Sequence, residues 1–397
     1  MKLVFLANHD RYFWSHRLSL ARAARDAGAE VFLMMRLYDR DSGAALEREG
    51  FRVINWRLSQ RSLNPFRELA AFAQVLNAYR RIRPDLAHHV TLKPIVYGEG
   101  AAKLCGQIPS VNTIAGLGSV FSTTKWGMRP VRRALLMLLR PALRGRNSRT
   151  VFQNSENRDA LLKDEVVPFE RTAIIRGSGV NLKEFAPRPE PLGAPVVMLA
   201  SRMLWEKGVA EFVSAAQILR QRGVTARFVL VGDPDPNNPA PVPARRLRAW
   251  ADSGIVESWG HREDMPSVLN QCNAFCLPSY YGEGLPKVLI EAAACGRAIV
   301  TTDVPGCREV VRHGESGLLV PPRDPEALAR ALATLLGDPA LRGRMGARGR
   351  EIVEQEFSEE LVVQRTFALY RELLGGRWPD CRAKPHQGEA LNARKTG

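Results

Sequence analysis

The chain has 397 residues, enough for two domains of ordinary size, each with its own core. Hydrophobic residues make up 45% and the formal charge is +16, a composition that excludes a disordered polymer, while the lack of any apolar run of about eighteen residues excludes a membrane-spanning helix. Cysteines at 105, 272, 276, 295, 307 and 381 include no second pair or histidine partner at zinc-site spacing, so they read as reduced thiols, and the opening residues lack the pattern of a secretion signal, which places the chain in the cytoplasm.

In chain order, strand-like runs at 2–7, 30–34, 52–54, 85–89, 109–113 and 150–152 alternate with helical patterns at 15–27, 66–81, 94–104 and 131–143. Such alternation predicts an α/β unit, a parallel sheet with helices on both faces. The proline-rich stretch 187–195 reads as a linker. A second unit follows, with strands at 196–200, 227–231, 255–258, 274–277 and 298–301 and helices at 209–222, 244–252, 265–271, 286–294 and 325–336. Helical patterns at 339–355 and 359–373 come next, and from Gly375 the polar, proline-containing chain with Arg382, Lys384, Arg394 and Lys395 reads as a disordered basic tail, 375–397.

The basic excess lies in the first half: residues 1–190 hold 31 Lys and Arg against 17 Asp and Glu. It concentrates in 125–149, with eight basic residues, no acidic one and an apolar stretch from Ala134 to Leu139. Leucines flanked by arginines suit an anionic membrane surface, although a core helix with a solvated basic rim has the same pattern. Nucleic acid is disfavoured as a partner, because only Trp126 interleaves an aromatic ring.

The chemistry centres on Glu283 and Glu291, which have seven residues between them and follow the apolar run 274–278. Pro286 suits the first turn of a helix, so Glu283 falls in the loop beyond a buried strand and Glu291 falls inside the helix. Amides of Gly284 and Leu285 at the positive helix end would meet an anion, and the carboxylates would accept hydroxyl hydrogen bonds. Upstream, Arg202 and Lys207 follow the strand 196–200, at the end of a strand where open α/β sheets bind ligands. With this spacing and the paired glutamates, the chain resembles retaining, nucleotide-sugar-using glycosyltransferases of the GT-B fold along nearly its whole length.

That resemblance implies two Rossmann-like doubly wound domains facing across a cleft: 1–186 for the acceptor, linker 187–195, 196–356 for the nucleotide sugar, and a crossover helix, 357–374, returning to the first domain. It also implies that Arg202 and Lys207 stabilise a departing diphosphate, that Glu291 binds ribose hydroxyls, and that Glu283 orients the donor sugar. Gly284, Leu285 and Lys287 complete the donor site. Gly179, in a segment resembling the family's Gly-Ser-Gly-Val-Asp with Asn181 in place of the usual Asp, is either a donor contact or a domain-boundary turn.

The acceptor side departs from the commoner pattern. Aromatic residues at 12–14 replace glycines after the first strand, with Arg11, His16 and Arg17 able to meet a phosphate or, for His16, to pack. Segments 88–98 and 109–121 resemble a subgroup that extends polyprenyl-diphosphate-linked sugars, which makes His89, Lys93, Gly116 and Gly118 candidate acceptor contacts. A histidine used by some relatives after the strand at 109 is missing, with Ala115 or Gly116 near its place. Asp233 and Asp235 imitate a metal-binding Asp-x-Asp, but prolines at 234, 236, 239, 241 and 243 favour a rigid connection.

The sequence therefore predicts a metal-independent enzyme without a cofactor, peripherally associated with the inner face of the membrane. A UDP-sugar is the expected donor and a lipid-diphosphate-linked sugar the expected acceptor. A soluble acceptor, or a non-catalytic nucleotide-sugar or nucleic-acid binding module, are the alternatives.

Overall fold

The computed structural model describes residues 1–59, 64–117, 129–236, 238, 240–280 and 284–379. The first lobe is built on seven parallel strands: β1 (Lys2–His9), β2 (Glu30–Arg36), β3 (Arg52–Asn55), β4 (Leu86–Val90), β5 (Ser110–Ile114), β6 (Ser148–Phe152) and β7 (Thr172–Ile174). Their order is β3-β2-β1-β4-β5-β6-β7. The second lobe has six: β8 (Val196–Ala200), β9 (Arg227–Val231), β10 (Glu257–Ser258), β11 (Ala274–Leu277), β12 (Ala298–Thr302) and β13 (Gly317–Val320), ordered β10-β9-β8-β11-β12-β13. Strands such as β4, β5, β8 and β12 are buried at every position, as in a parallel sheet covered on both faces, and the buried His88, His89 and Asn112 within them are hydrogen-bonded.

Two sequence expectations change. One helix was expected over 15–27, but the structure has two, Asp10–His16 and Leu18–Asp26, broken at Arg17, whose φ and ψ of −133° and −9° are not helical. The early start comes from His9, extended at the end of β1, which caps the helix by accepting from the Tyr12 N–H with its Nδ1 at 3.2 Å. Strands β7 and β13 carry no alternation and were not foreseen; they form because an edge of each sheet is open to pair with them.

The helix Glu359–Leu373 packs on the first lobe, where Phe367 and Tyr370 join a core with Phe5, Phe13 and Val111. Residues beyond it do not leave the surface at Gly375, because Trp378 is 2% exposed and stacks edge-on against Tyr370 at 4.8 Å. Residues 380–397 lie outside the described part. The 187–195 stretch is fastened to the second lobe: Glu190 pairs with Arg342 at 2.8 Å, and the N–H of Arg188 donates to Asn270.

Within the basic segment, Arg129–Leu143 is helical. Leu139 and Leu143 are fully buried against Ile114 and Phe152, so these two leucines are core residues and not a lipid-facing stripe. Outward stand Met137 and Leu138, 71% and 55% exposed, beside exposed Arg133, Arg140 and Arg144. No helix among the described residues is long and apolar enough to cross a membrane.

Candidate active site

Each sheet reverses its winding at its centre, between β1 and β4 and between β8 and β11, and ligands of such sheets bind beyond the strand ends at that point. Arg202 follows β8. Its loop is fixed by backbone bonds from Ser201 to Val231 and from Met203 to Asp233, at 3.0 and 2.9 Å. Gly232 is required there: its φ is +125°, and a β-carbon would fall 2.0 Å from the carbonyl oxygen of Ser201. The Arg202 guanidinium, 59% exposed, is aimed by Asp235, whose Oδ2 lies 2.8 Å from Nη1. Asp235 is thus engaged with an arginine, and no group of three metal-ligating side chains occurs among the described residues.

Lys207 ends a short 3-10 turn, Trp205–Lys207. Ser279 Oγ and the N–H of Tyr280, just past β11, both donate to the Glu206 carbonyl at 3.0 and 3.1 Å, which joins the Lys207 turn to the loop leading toward Glu291. Both cations therefore lie in one loop after β8, tied to the segment that follows β11.

That helix spans Lys287–Ala294, with Pro286 as its N-cap and not in its first turn. The Glu291 side chain is 12% exposed, 3.3 Å from Lys287 Nζ. Burial pushes its carboxyl above the ordinary range, and Lys287 opposes the shift. Lys287 Nζ also donates a 2.6 Å hydrogen bond to the Ser15 carbonyl of the first lobe. Gly284 closes a second cross-lobe contact: its carbonyl accepts from Asn154 Nδ2 at 2.8 Å, and a β-carbon on it would sit 1.8 Å from the Ala115 oxygen. A β-carbon on Gly116 would lie 3.5 Å from the Gly284 nitrogen, so this glycine faces the turn before Pro286. Leu285 is packed into the second-lobe core at 9% exposure. Glu283 and Gly118 fall outside the described residues.

The first-lobe candidates separate. His16 stacks on Tyr12 with ring centroids 4.5 Å apart, and its Nδ1 lies 2.6 Å from Ser15 Oγ. Burial first, then Lys287 and Arg17, hold its pKa down to about 3, so it is a neutral imidazole. Arg17 is 3% exposed, whereas Arg11 is exposed over the Tyr38 ring at 5.3 Å. His9, ending β1, is shifted below its ordinary value by burial, and both Arg202 and Asp235 act on it, which sets that pair opposite the first lobe.

Three residues assigned from sequence to ligands have partners within the protein. His89 is fully buried, bonded to Tyr79 Oη at 2.9 Å and Asn112 Oδ1 at 2.8 Å, with its ring against Gly98; alternation along β4 turns it to the sheet face under the helix Leu92–Leu104. Lys93 donates to Glu68 and to the Ser59 carbonyl, both at 2.9 Å, which fastens two helices together. Gly179, at φ +79°, abuts the last helix, where a β-carbon would meet Glu359 Cα at 2.6 Å, so the domain-boundary turn accounts for this glycine. Sequence reading missed Asn154, although an Asn just before a helical Ser-Glu pair is an N-cap signal; its Oδ1 accepts from the Asn157 N–H at 2.8 Å.

Comparison with known proteins agrees with this geometry. The glycosyl transferase 4-like family model matches residues 2–154, and that of glycosyl transferases group 1 matches residues 194–338. The chain is 28% identical over 388 residues to a Campylobacter jejuni N,N'-diacetylbacillosaminyl-diphospho-undecaprenol alpha-1,3-N-acetylgalactosaminyltransferase, covering 94% of this chain and 99% of that protein. It is 33% identical over 180 residues to the alpha-D-kanosaminyltransferase of Streptomyces kanamyceticus, about half of either chain. Anabaena Alr3699/HepE, solved in complex with UDP, superposes with a TM-score of 0.77 at 20% identity over 94% of this chain and 100% of that one, a likeness of fold. The chain is a GT-B glycosyltransferase whose residues 2–154 match the glycosyl transferase 4-like model and whose residues 194–338 match that of glycosyl transferases group 1.

Proposed function

We propose that the enzyme moves a sugar, an N-acetylhexosamine or hexose, from a UDP-sugar to a polyprenyl-diphosphate-linked sugar with retention of anomeric configuration. One observation supports the donor half: Arg202 and Lys207 lie in the loop after β8, and Glu291, 12% exposed, lies in the helix after the neighbouring strand β11, at the second-lobe switch point. Arg202, aimed by Asp235, and Lys207 meet the diphosphate, whose charge grows as the glycosidic bond breaks. Glu291 accepts the ribose hydroxyls and Glu283 orients the donor ring. The acceptor hydroxyl attacks from the leaving-group face and gives its proton to the departing phosphate oxygen, so the positive charge comes from side chains and no metal is needed.

Support for the acceptor comes from the Campylobacter relative, whose own acceptor is an undecaprenyl-diphosphate sugar. The outward residues of Arg129–Leu143 suit an anionic lipid surface on the cytoplasmic side, where such an acceptor resides. The deciding experiment supplies a panel of labelled UDP-sugars with polyprenyl-diphosphate-linked and with soluble acceptors, in detergent, with and without EDTA. Label is expected in the lipid product in both conditions. Transfer to soluble sugars alone would end the lipid reading, and a strict Mg²⁺ requirement would return Asp233 and Asp235 to consideration.

A further inference from the structure

The end of β1 is bulged. Leu6 pairs with Met34 and His9 with Arg36, so β1 advances three residues where β2 advances two. In an unbroken ladder Asn8 would stand opposite Arg36; the extra residue gives that place to His9 and re-aims its side chain where the strand ends. Two elements then fix the half-buried imidazole. Its Nδ1 accepts from the Tyr12 N–H at 3.2 Å, and its ring packs against those of Tyr38 and Tyr12, with centroids at 5.4 and 6.3 Å. Tyr38 is itself held, its N–H donating to Asp10 Oδ2 at 3.0 Å.

These contacts determine what the ring can offer. A nitrogen that accepts a hydrogen bond carries no proton, so the neutral imidazole bears its hydrogen on Nε2, and no described residue accepts from that atom. An N-cap needs only an acceptor, which Asn, Asp or Ser would supply; a histidine leaves its second nitrogen for another task. The place of that task is set by the second lobe. His9 stands within electrostatic reach of Arg202 and Asp235, and burial, the largest influence on it, keeps the ring uncharged. The helix that it caps is bonded to the second lobe at its other end, where Lys287 Nζ donates to the Ser15 carbonyl at 2.6 Å.

We infer that His9 is a catalytic residue of the first lobe, its Nε2–H donating to an oxygen of the nucleotide sugar's diphosphate opposite the Arg202 guanidinium. As the glycosidic bond breaks, its electron pair passes to the phosphate oxygen, and a neutral donor held there shares the growing charge without giving up its proton. The proton taken by the leaving oxygen still comes from the acceptor hydroxyl. Arg202 and Lys207 grip the diphosphate from one lobe, and His9 adds a bond from the other that forms only while the lobes face each other. The inference rests on the functional reading above for the identity of the ligand as the diphosphate of a nucleotide sugar.

Two amides separate the tasks of the two ring nitrogens. Asn puts an acceptor where Nδ1 stands and keeps the cap but reaches no further, whereas Gln extends an N–H toward the place of Nε2 and gives up the cap. His9→Asn should therefore melt like wild type while kcat falls about a hundredfold, the low end for removing a donor aimed at developing charge. Its donor KM should change much less, because the bond strengthens as the charge forms. His9→Gln should melt lower and keep most of the wild-type kcat. Wild-type kcat in His9→Asn overturns the inference, since a capping role alone predicts that result. Should either variant fail to fold, the other decides by its own kcat. Inorganic pyrophosphate, which carries the charge of the leaving group, should raise the melting temperature of wild type and His9→Gln more than that of His9→Asn, and equal shifts in all three, including none, overturn the contact. This reading uses no acceptor and no sugar, so a failure of lipid transfer, which would end the functional reading, leaves it standing.

Discussion

Lys287, in the first turn of the glutamate helix, donates a 2.6 Å hydrogen bond across the cleft to the backbone carbonyl of Ser15 while standing 3.3 Å from Glu291. One ammonium thereby links the lobes and stands against the carboxylate proposed to hold the ribose. Burial works in the opposite direction, raising the Glu291 pKa, and Lys287 is the largest influence restraining it.

A pH dependence follows with a definite sign. Protonation of Glu291 removes the charge that strengthens its hydrogen bonds to hydroxyl groups and turns one acceptor oxygen into a donor, so UDP affinity should fall as pH drops through its raised pKa, at a higher pH than for an ordinary carboxylate. Lys287→Met removes the restraining charge and should move that acid limb further up. Calorimetric titration of UDP across about pH 5 to 8 reads both, and an acid limb unmoved by Lys287→Met would detach Glu291 from the donor.

Gly284→Ala should be poorly tolerated although alanine is small. The new β-carbon would lie 1.8 Å from the Ala115 oxygen, a backbone atom that cannot swing away as a side chain would. Prising the lobes apart there is expected to cost about 1–3 kcal/mol and to depress transfer more than folding. Melting temperature and kcat/KM measured together check this, and wild-type values for both would refute the close approach.

Asn154 has two roles that substitution separates. Asn154→Asp keeps the acceptor that caps the helix Ser155–Lys163 but loses the amide that donates to Gly284. It should therefore retain stability and lose activity, whereas Asn154→Ala should lose both, with about 1 kcal/mol from the cap. Equal activity in wild type and Asn154→Asp would remove the cross-lobe bond from the account.

Arg202→Ala and Lys207→Ala should each lower kcat/KM by about a hundredfold to a thousandfold, the range for a donor aimed at developing charge. Asp235→Asn loosens the aim of Arg202 but leaves its charge in place, so a smaller loss, about tenfold, is expected. Steady-state kinetics on the three variants rank them, and an Asp235→Asn loss exceeding that of Arg202→Ala would point to a different role for the aspartate.

On the outer surface, Met137→Glu with Leu138→Glu places two carboxylates among Arg133, Arg140 and Arg144. Sedimentation with vesicles rich in anionic lipid should drop severalfold, with melting temperature unchanged because neither side chain is buried. Unaltered vesicle binding would place the membrane contact elsewhere.

Local pattern made much of this architecture legible. Helices such as Glu359–Leu373 and strands such as Ala274–Leu277 match their expected bounds, because apolar periodicity and capping act within a few residues of chain. Edge strands β7 and β13 escaped notice because they span only Thr172–Ile174 and Gly317–Val320 and carry no period-2 alternation. The early start of the first helix escaped because its N-cap is His9, a residue outside the usual Ser, Thr, Asp and Asn caps.

Arg202, Lys207 and Glu291 could be picked out from sequence because strand-end position and spacing place them, whatever their long-range partners. His89 and Lys93 could not be judged that way. A histidine at a strand end faces either the cleft or the core according to a one-residue alternation, and only the packing of Tyr79, Asn112 and Gly98 around His89 decides for the core. Residue order alone determined two wound sheets, a linker and the strand-end position of Arg202 and Lys207; the folded chain decided which first-lobe groups are buried and which face the second lobe, because burial, ion pairing and close backbone approach are set by residues far apart in sequence and near in space.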